Sequence, residues 1–148
     1  SIRVERQHDA AREALEQAAR SQQLEAKIRF LGWVPQKDLV CYYSIADVFI
    51  MPSDEEGFPH VLLEAMAYGV PFVAFDVGGV REITPAIESS FVVEDGDVKL
   101  FSKKIKEILL MADEEKNKLK IELARHVLRY DINSVIKDFV KVIKNAPK

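Results

Sequence analysis

An α/β fold, a parallel sheet with helices on both faces, is the class this sequence predicts. Three observations lead there. Two apolar runs without polar alternation, at 48–51 and 70–75, read as strands buried on both sides. Between them lies a helical pattern, with Val61, Leu62, Ala65 and Met66 on one face. Strand-like and helix-like segments alternate over the first two thirds of the chain, the order that yields parallel strands joined by crossover helices.

About five strands are expected in all. The first is short and weak, at 2–5. An alanine-rich helical face follows from Asp9, with Ala10, Ala11, Ala14, Leu15, Ala18 and Ala19 on one side and charges on the other. Residues 28–31 read as the next strand, ending at Gly32. Trp33, Val34 and Pro35 form a loop, because the proline prevents an early helix start. A helix over 37–45 offers Leu39, Val40, Tyr43 and Ile45 for packing. The strand at 48–51 leads into an acidic loop, Ser53 to Glu56, a turn at Gly57 and the central helix, which Gly69 stops. After the strand at 70–75, Gly78 and Gly79 mark a flexible strand-to-helix loop. A short helical segment over 80–83 ends before Pro85, and 91–93 is the fifth strand. Asp97 is placed as the N-cap of a helix carrying Leu100, Phe101, Ile105, Ile108 and Leu109. Two further helices follow, one with Leu119, Leu123, Val127 and Leu128, the other running from Ile132 to Ile143.

A chain of 148 residues, 48% hydrophobic and 30% charged, is expected to be one globular domain with room for a core. Its net charge of −3 gives no reason to expect a nucleic-acid partner. The single cysteine, Cys41, excludes an internal disulfide; its apolar, aromatic neighbours predict a buried thiol in a reducing, cytoplasmic compartment. No apolar run approaches the length that spans a bilayer.

The chemistry concentrates in the central loop. A helix amino terminus carries unpaired N–H groups and a partial positive charge, which suits a phosphate. Gly57 lets a ligand approach the backbone, and Pro59 fits the first helical turn, where no donor is lost. Glu56 and Glu64 stand eight positions apart, roughly 12 Å along a helix, about the span from a ribose across a diphosphate to a sugar. Carboxylates at both ends would accept hydrogen bonds from vicinal hydroxyls. From the residues alone two readings stay open: a nucleotide-sugar site, or acids that do no more than favour the helix dipole.

One more feature decides between them. Glu56-Gly57-Phe58-Pro59-His60-Val61-Leu62-Leu63-Glu64, with Gly69-Val70-Pro71 behind it, resembles the E-x7-E signature of the retaining family-4 (group 1) glycosyltransferases. Supporting pieces occur in the same order: Phe30-Leu31-Gly32-Trp33-Val34-Pro35, Tyr43-Ser44-Ile45-Ala46-Asp47-Val48, Met51-Pro52-Ser53 and Asp76-Val77-Gly78-Gly79-Val80-Arg81-Glu82. The resemblance implies a Rossmann-like domain, the carboxyl-terminal, donor-binding half of a GT-B fold. It implies Glu56 near the reacting centre and Ser53, Gly57, Phe58, Pro59 and His60 around the donor. It further implies Glu64 on the ribose hydroxyls and Trp33 and Val34 against the base. The ligand would be a nucleotide diphosphate sugar, with no metal and no further cofactor.

The chain departs from the family pattern in places. The first strand, the glycine-bearing loop after it and a downstream lysine that clamp the diphosphate are not found, and residues 5–8 stand where a glycine-rich turn is usual. Residues 85–90 replace another glycine-bearing turn. An amino-terminal, acceptor-binding domain is expected outside this sequence, so the domain alone is not expected to turn over. Asp95-Gly96-Asp97 has the D-x-D form that binds metal in a different glycosyltransferase fold, but here a turn plus N-cap accounts for it. His8 and His126 read as surface residues. Gly78 and Gly79 fit a phosphate-binding nest or a tight loop equally. Arg81 fits a donor contact less well than an exposed ion pair. The terminal lysines fit a weak attraction to anionic lipid at the inner face of a membrane, or a solvated helix end. The expectation is therefore a donor-binding domain that takes part in hexosyl transfer to a saccharide, lipid or protein acceptor. The alternatives are a non-catalytic nucleotide-binding or scaffold domain and, more remotely, a flavodoxin-like regulatory domain.

Overall fold

A computed structural model describes residues 2–130, with side chains from residue 10 onward. The chain separates into two compact units, Ser1–Asp38 and Leu39–Lys148.

The first unit is dominated by α1 (Ile2–Ser21). Residues 2–5 belong to this helix, not to a strand. Ile2 and Val4 are only two alternating positions, and the Arg, Glu and Gln residues that follow are strong helix formers. On the exposed face Glu16 accepts from Arg12 at 2.8 Å and from Arg20 at 3.4 Å, and the Arg12 hydrogen bond holds its carboxyl below the usual range. The expected strand at 28–31 also fails to form. Turn geometry continues past the helix, with Lys27 and Ile28 donating their N–H groups to the Leu24 carbonyl at 2.8 and 3.2 Å. A four-residue apolar run interrupted by Arg29 carries too little pattern to impose a strand.

Among the described residues of the second unit the sheet has three parallel strands, β1 (Phe49–Met51), β2 (Phe72–Phe75) and β3 (Val92–Val93), in that spatial order. Phe49 pairs with Phe72 and Met51 with Ala74; Ala74 and Phe75 pair with Val92 and Val93. Successive β2 side chains face opposite ways, as strand geometry requires. Phe72 and Ala74 join Leu62, Met66, Leu119 and Leu123 on one face. Val73 and Phe75 join Val93, Phe101 and Ile108 on the other. The helices α3 (His60–Ala67) and α6 (Asp113–Val127) cover the first face, and α5 (Val98–Leu109) covers the second. This burial on both sides explains why β2 lacks polar alternation.

Helix boundaries follow local chemistry. Asp97 caps α5, its Oδ1 accepting from the Leu100 N–H at 2.9 Å. Gly69 ends α3 at φ +67, while the Gly69 and Val70 N–H groups close on Met66 and Ala65 carbonyls. Helix α2 (Gln36–Ile45) buries Tyr43 but leaves Val40 and Ile45 exposed. Cys41 is also exposed, contrary to expectation. Positions two apart on a helix lie about 200° apart, so burying Tyr43 turns Cys41 outward.

Residues 85–90, which stand in place of the family's glycine-bearing turn, belong largely to a 3-10 helix (Ala86–Phe91), which also takes Phe91 out of the fifth strand. It carries Glu88 into the interior at 0% exposure. Glu88 Oε1 accepts from the Phe72 N–H at 2.8 Å, while Oε2 has no partner among the described residues. Burial pushes this carboxyl up to about 7, although the Phe72 hydrogen bond opposes the shift. His126 is half-buried, not a surface residue. Its Nε2 lies 2.8 Å from the Ile83 carbonyl, and desolvation lowers its pKa. The helix expected from Ile132 to Ile143 and the terminal lysines lie outside the described residues, as does the side chain of His8. Among the described residues no helix is long and apolar enough to cross a membrane.

Candidate functional site

Because β1 and β2 are parallel, the segments that follow them leave the sheet at the same edge. One is the acidic loop, residues 52–59; the other is the glycine loop, residues 76–79. The two are locked together. Gly79 donates its N–H to the Gly57 carbonyl at 2.9 Å. Gly78 has φ +50, and a Cβ there would run into the Glu56 carbonyl oxygen. Glycine is therefore required at 78 both by conformation and by contact. Gly57, where the sequence suggested a need for close approach, has no positive φ and open space around it.

The Gly79 N–H is thus engaged, and the Val80 N–H closes on the Val77 carbonyl at 3.2 Å, so both groups are used within the loop. Asp76 receives both Nε and Nη2 of Arg81, the former at 2.8 Å, an ion pair on the surface. It raises the Arg81 pKa. The short helix α4 (Val80–Ile83) starts directly after the glycines.

Pro59 is fully buried and stands one position before α3, at its N-cap, without a side-chain hydrogen bond. The first helical residue, His60, directs its N–H to the Phe58 carbonyl at 2.9 Å. Helix α3 thus begins three residues later than Gly57, and Glu56 lies outside it. The helical separation of roughly 12 Å does not apply across that stretch, and only the rise from His60 to Glu64, about 6 Å, is helical. Glu56 and Ser53 are half-buried, whereas Asp54 and Glu55 are exposed. Phe58, about half-exposed, meets His60 edge-on at 5.3 Å and Tyr130 at 6.2 Å.

Glu64 projects from the middle of α3, half-buried, and accepts from the Tyr43 hydroxyl at 3.1 Å. Burial first, and Glu64 second, push the Tyr43 phenol up to about 12. Glu64 and His60 also line an open pocket of about 410 Å³, together with Val127, Leu128 and Tyr130. The structure therefore gathers Ser53, Glu56, Gly57, Phe58, Pro59, His60 and Glu64 around one sheet edge and the helix beyond it. Trp33 and Val34 belong to the first unit, where Trp33 is exposed and Val34 half-buried.

Sequence reasoning missed Tyr43 as the partner of Glu64 and Gly78 as the seat of Glu56. For Gly78 a signal existed, two consecutive glycines after a buried strand; for Tyr43 none separated a core aromatic from a polar partner. Among the described residues no group of three or more His, Cys, Asp and Glu is arranged to hold a metal ion.

Comparison with known proteins gives this geometry a context. The family model for glycosyl transferases group 1 matches residues 9–126. The D-inositol 3-phosphate glycosyltransferase of Corynebacterium urealyticum is 31% identical over 134 residues, covering 90% of this chain and 31% of that protein. The O-antigen chain mannosyltransferase B of Escherichia coli is 40% identical over 78 residues, 53% of this chain and 20% of the relative. The chain thus spans a third or less of the curated relatives it matches. A sucrose-phosphate synthase from Thermosynechococcus elongatus superposes with a TM-score of 0.74 at 27% identity, over 93% of this chain and 35% of that one. The fold is accordingly the expected one, a parallel sheet flanked by helices that makes one half of a GT-B arrangement. By the match across residues 9–126, the chain belongs to the glycosyl transferases group 1 family.

Proposed function

We propose that this chain is the donor-binding domain of a retaining glycosyltransferase that moves a hexose from a nucleotide diphosphate sugar to a saccharide, lipid or protein acceptor. The observation that carries the reading is the union of two loops at one sheet edge, with Glu56 seated on Gly78 and Glu64 in the middle of the helix that follows. Ligands of open α/β sheets bind outside the carboxyl ends of the strands, which is where these loops lie. The names of two relatives, a mannosyltransferase and an inositol phosphate glycosyltransferase, support sugar transfer as the reaction class.

In this reading Glu64 accepts hydrogen bonds from the ribose hydroxyls, and a carboxylate with two acceptor oxygens suits a vicinal diol. Glu56 lies near the donor sugar, where it positions the ring and supports the charge that develops as the glycosidic bond breaks. Ser53, Gly57, Phe58, Pro59 and His60 surround the sugar and diphosphate, and Trp33 and Val34 serve the base. No metal or further cofactor takes part. The acceptor is held by a second domain, and without it transfer does not occur, because both reactants must be fixed in one geometry.

The test is a calorimetric titration of the chain with UDP, GDP and their hexose conjugates, with Glu64→Ala alongside. Saturable binding of one nucleotide family, weakened at least about tenfold in the variant, is the expected result. Binding to none of the ligands overturns donor recognition by this chain. Joining it to an acceptor-binding half and assaying anomeric configuration of the product then tests transfer with retention.

A further inference from the structure

Glu64 is held by a residue far from it in sequence. The Tyr43 hydroxyl, on α2, donates to Glu64 Oε2 at 3.1 Å across 21 positions. The phenol has little freedom to turn elsewhere. Tyr43 is 8% exposed, stacks on Tyr68 at 5.6 Å with planes 11° apart, and meets Phe49 at 6.0 Å. Its ring packs with Ala65, the residue next to Glu64 in α3, and with Val70.

A buried tyrosine hydroxyl needs some acceptor, and a backbone carbonyl usually suffices. Here the acceptor is a half-buried carboxylate that also lines the 410 Å³ pocket with His60. The hydroxyl on one oxygen restricts how the carboxylate can turn, while both groups stay hydrogen-bonded. With its phenol pushed up to about 12, Tyr43 remains a donor throughout the physiological range.

We propose that Tyr43 is a positioning residue, which orients the Glu64 carboxylate for the vicinal hydroxyls of the donor's ribose. This rests on the assignment of Glu64 to the ribose made above. Tyr43 touches no ligand in this scheme; it acts through Glu64. Ring burial supplies its rigidity and the hydroxyl supplies the aim.

The experiment compares wild type, Tyr43→Phe, Glu64→Ala and the double variant in calorimetric titrations with UDP and GDP and with their 2′,3′-dideoxy counterparts. Phenylalanine keeps the stacking on Tyr68 and removes only the hydroxyl. The expected result is a ribonucleotide Kd raised about tenfold in Tyr43→Phe, with dideoxynucleotide affinity unchanged. In the Glu64→Ala background the same substitution adds no further loss, as coupled residues require. A Tyr43→Phe Kd within about twofold of wild type, while Glu64→Ala loses binding, overturns this inference and leaves the donor-binding reading standing. Equal losses for ribo- and dideoxynucleotides overturn it as well, since they mark a structural role. If wild type binds no nucleotide, the donor-binding reading fails and this inference falls with it. A second measurement does not depend on the variant folding. In wild type carrying carbon-labelled tyrosine, the Tyr43 phenol resonance is expected to shift on saturation with a ribonucleotide and not with a dideoxynucleotide. An unmoved resonance in both overturns the proposal.

Discussion

Gly78 lies so close to the carbonyl oxygen of Glu56 that any side chain at 78 would overlap it. The two residues sit in different loops, one after each of two neighbouring parallel strands. The position of the acidic loop therefore depends on the absence of a Cβ in the glycine loop.

Gly78→Ala is expected to displace that loop. Alanine at φ +50 costs about 1 kcal/mol in backbone strain, and relief of the overlap moves Glu56 or the α4 start. Thermal unfolding should show a loss of at least about 2 kcal/mol, and nucleotide affinity should fall with it. Gly57→Ala is the control: its site is open and its φ is not positive, so stability should stay within about 0.5 kcal/mol of wild type. Equal melting temperatures for the two variants would show that Gly78 does not seat Glu56.

Glu88 predicts a pH dependence with a defined sign. Its folded pKa of about 7 lies above the ordinary 4.5, so the folded chain binds the extra proton. Below pH 4.5 both states are protonated and nothing is lost. Between 4.5 and about 7 only the folded state keeps its proton, and stability falls as pH rises; above that window the penalty is constant. Glu88→Gln removes the titration while keeping an acceptor for the Phe72 N–H. Urea unfolding should show wild type losing on the order of 2 to 3 kcal/mol more than the variant between acidic and mildly alkaline conditions. Parallel profiles would sink the assignment.

Asp97→Ala takes away the side-chain acceptor for the Leu100 N–H at the start of α5. A loss of about 1 kcal/mol is expected, which in a domain of this size lowers the melting temperature by about 3 °C. Asp97→Asn should recover most of it, because asparagine caps as well as aspartate. Failure of the asparagine variant to recover would point to charge, not capping.

Much of this was legible in the residues. The two apolar runs became β1 and β2 because a strand covered on both faces has no polar alternation to display. Asp97 and Gly69 bounded their helices because capping acts over a few positions. The E-x7-E stretch carried the family, and the comparison with group 1 glycosyl transferases agrees. What failed was of one kind. Residues 2–5 and 28–31 have strand-like composition, yet a strand exists only when another lies beside it, and four residues cannot say whether one does. The exposure of Cys41 and the burial of Glu88 and His126 escaped for a related reason, since a polarity pattern names a face without naming what packs against it.

By itself the sequence determined the central strand, loop, helix and strand from β1 to β2, the acidic loop, the helix caps and the family, because each depends on residues within a turn or two of one another. Only the tertiary structure decided that Gly78 seats Glu56, that Tyr43 holds Glu64 and that Glu88 lies unpaired at one oxygen beside Phe72. Those pairings join residues 16 to 22 positions apart, as 88 − 72 and 78 − 56 show. They are set by how the helices settle on the sheet. Local periodicity reports which way a side chain points; packing chooses what it meets.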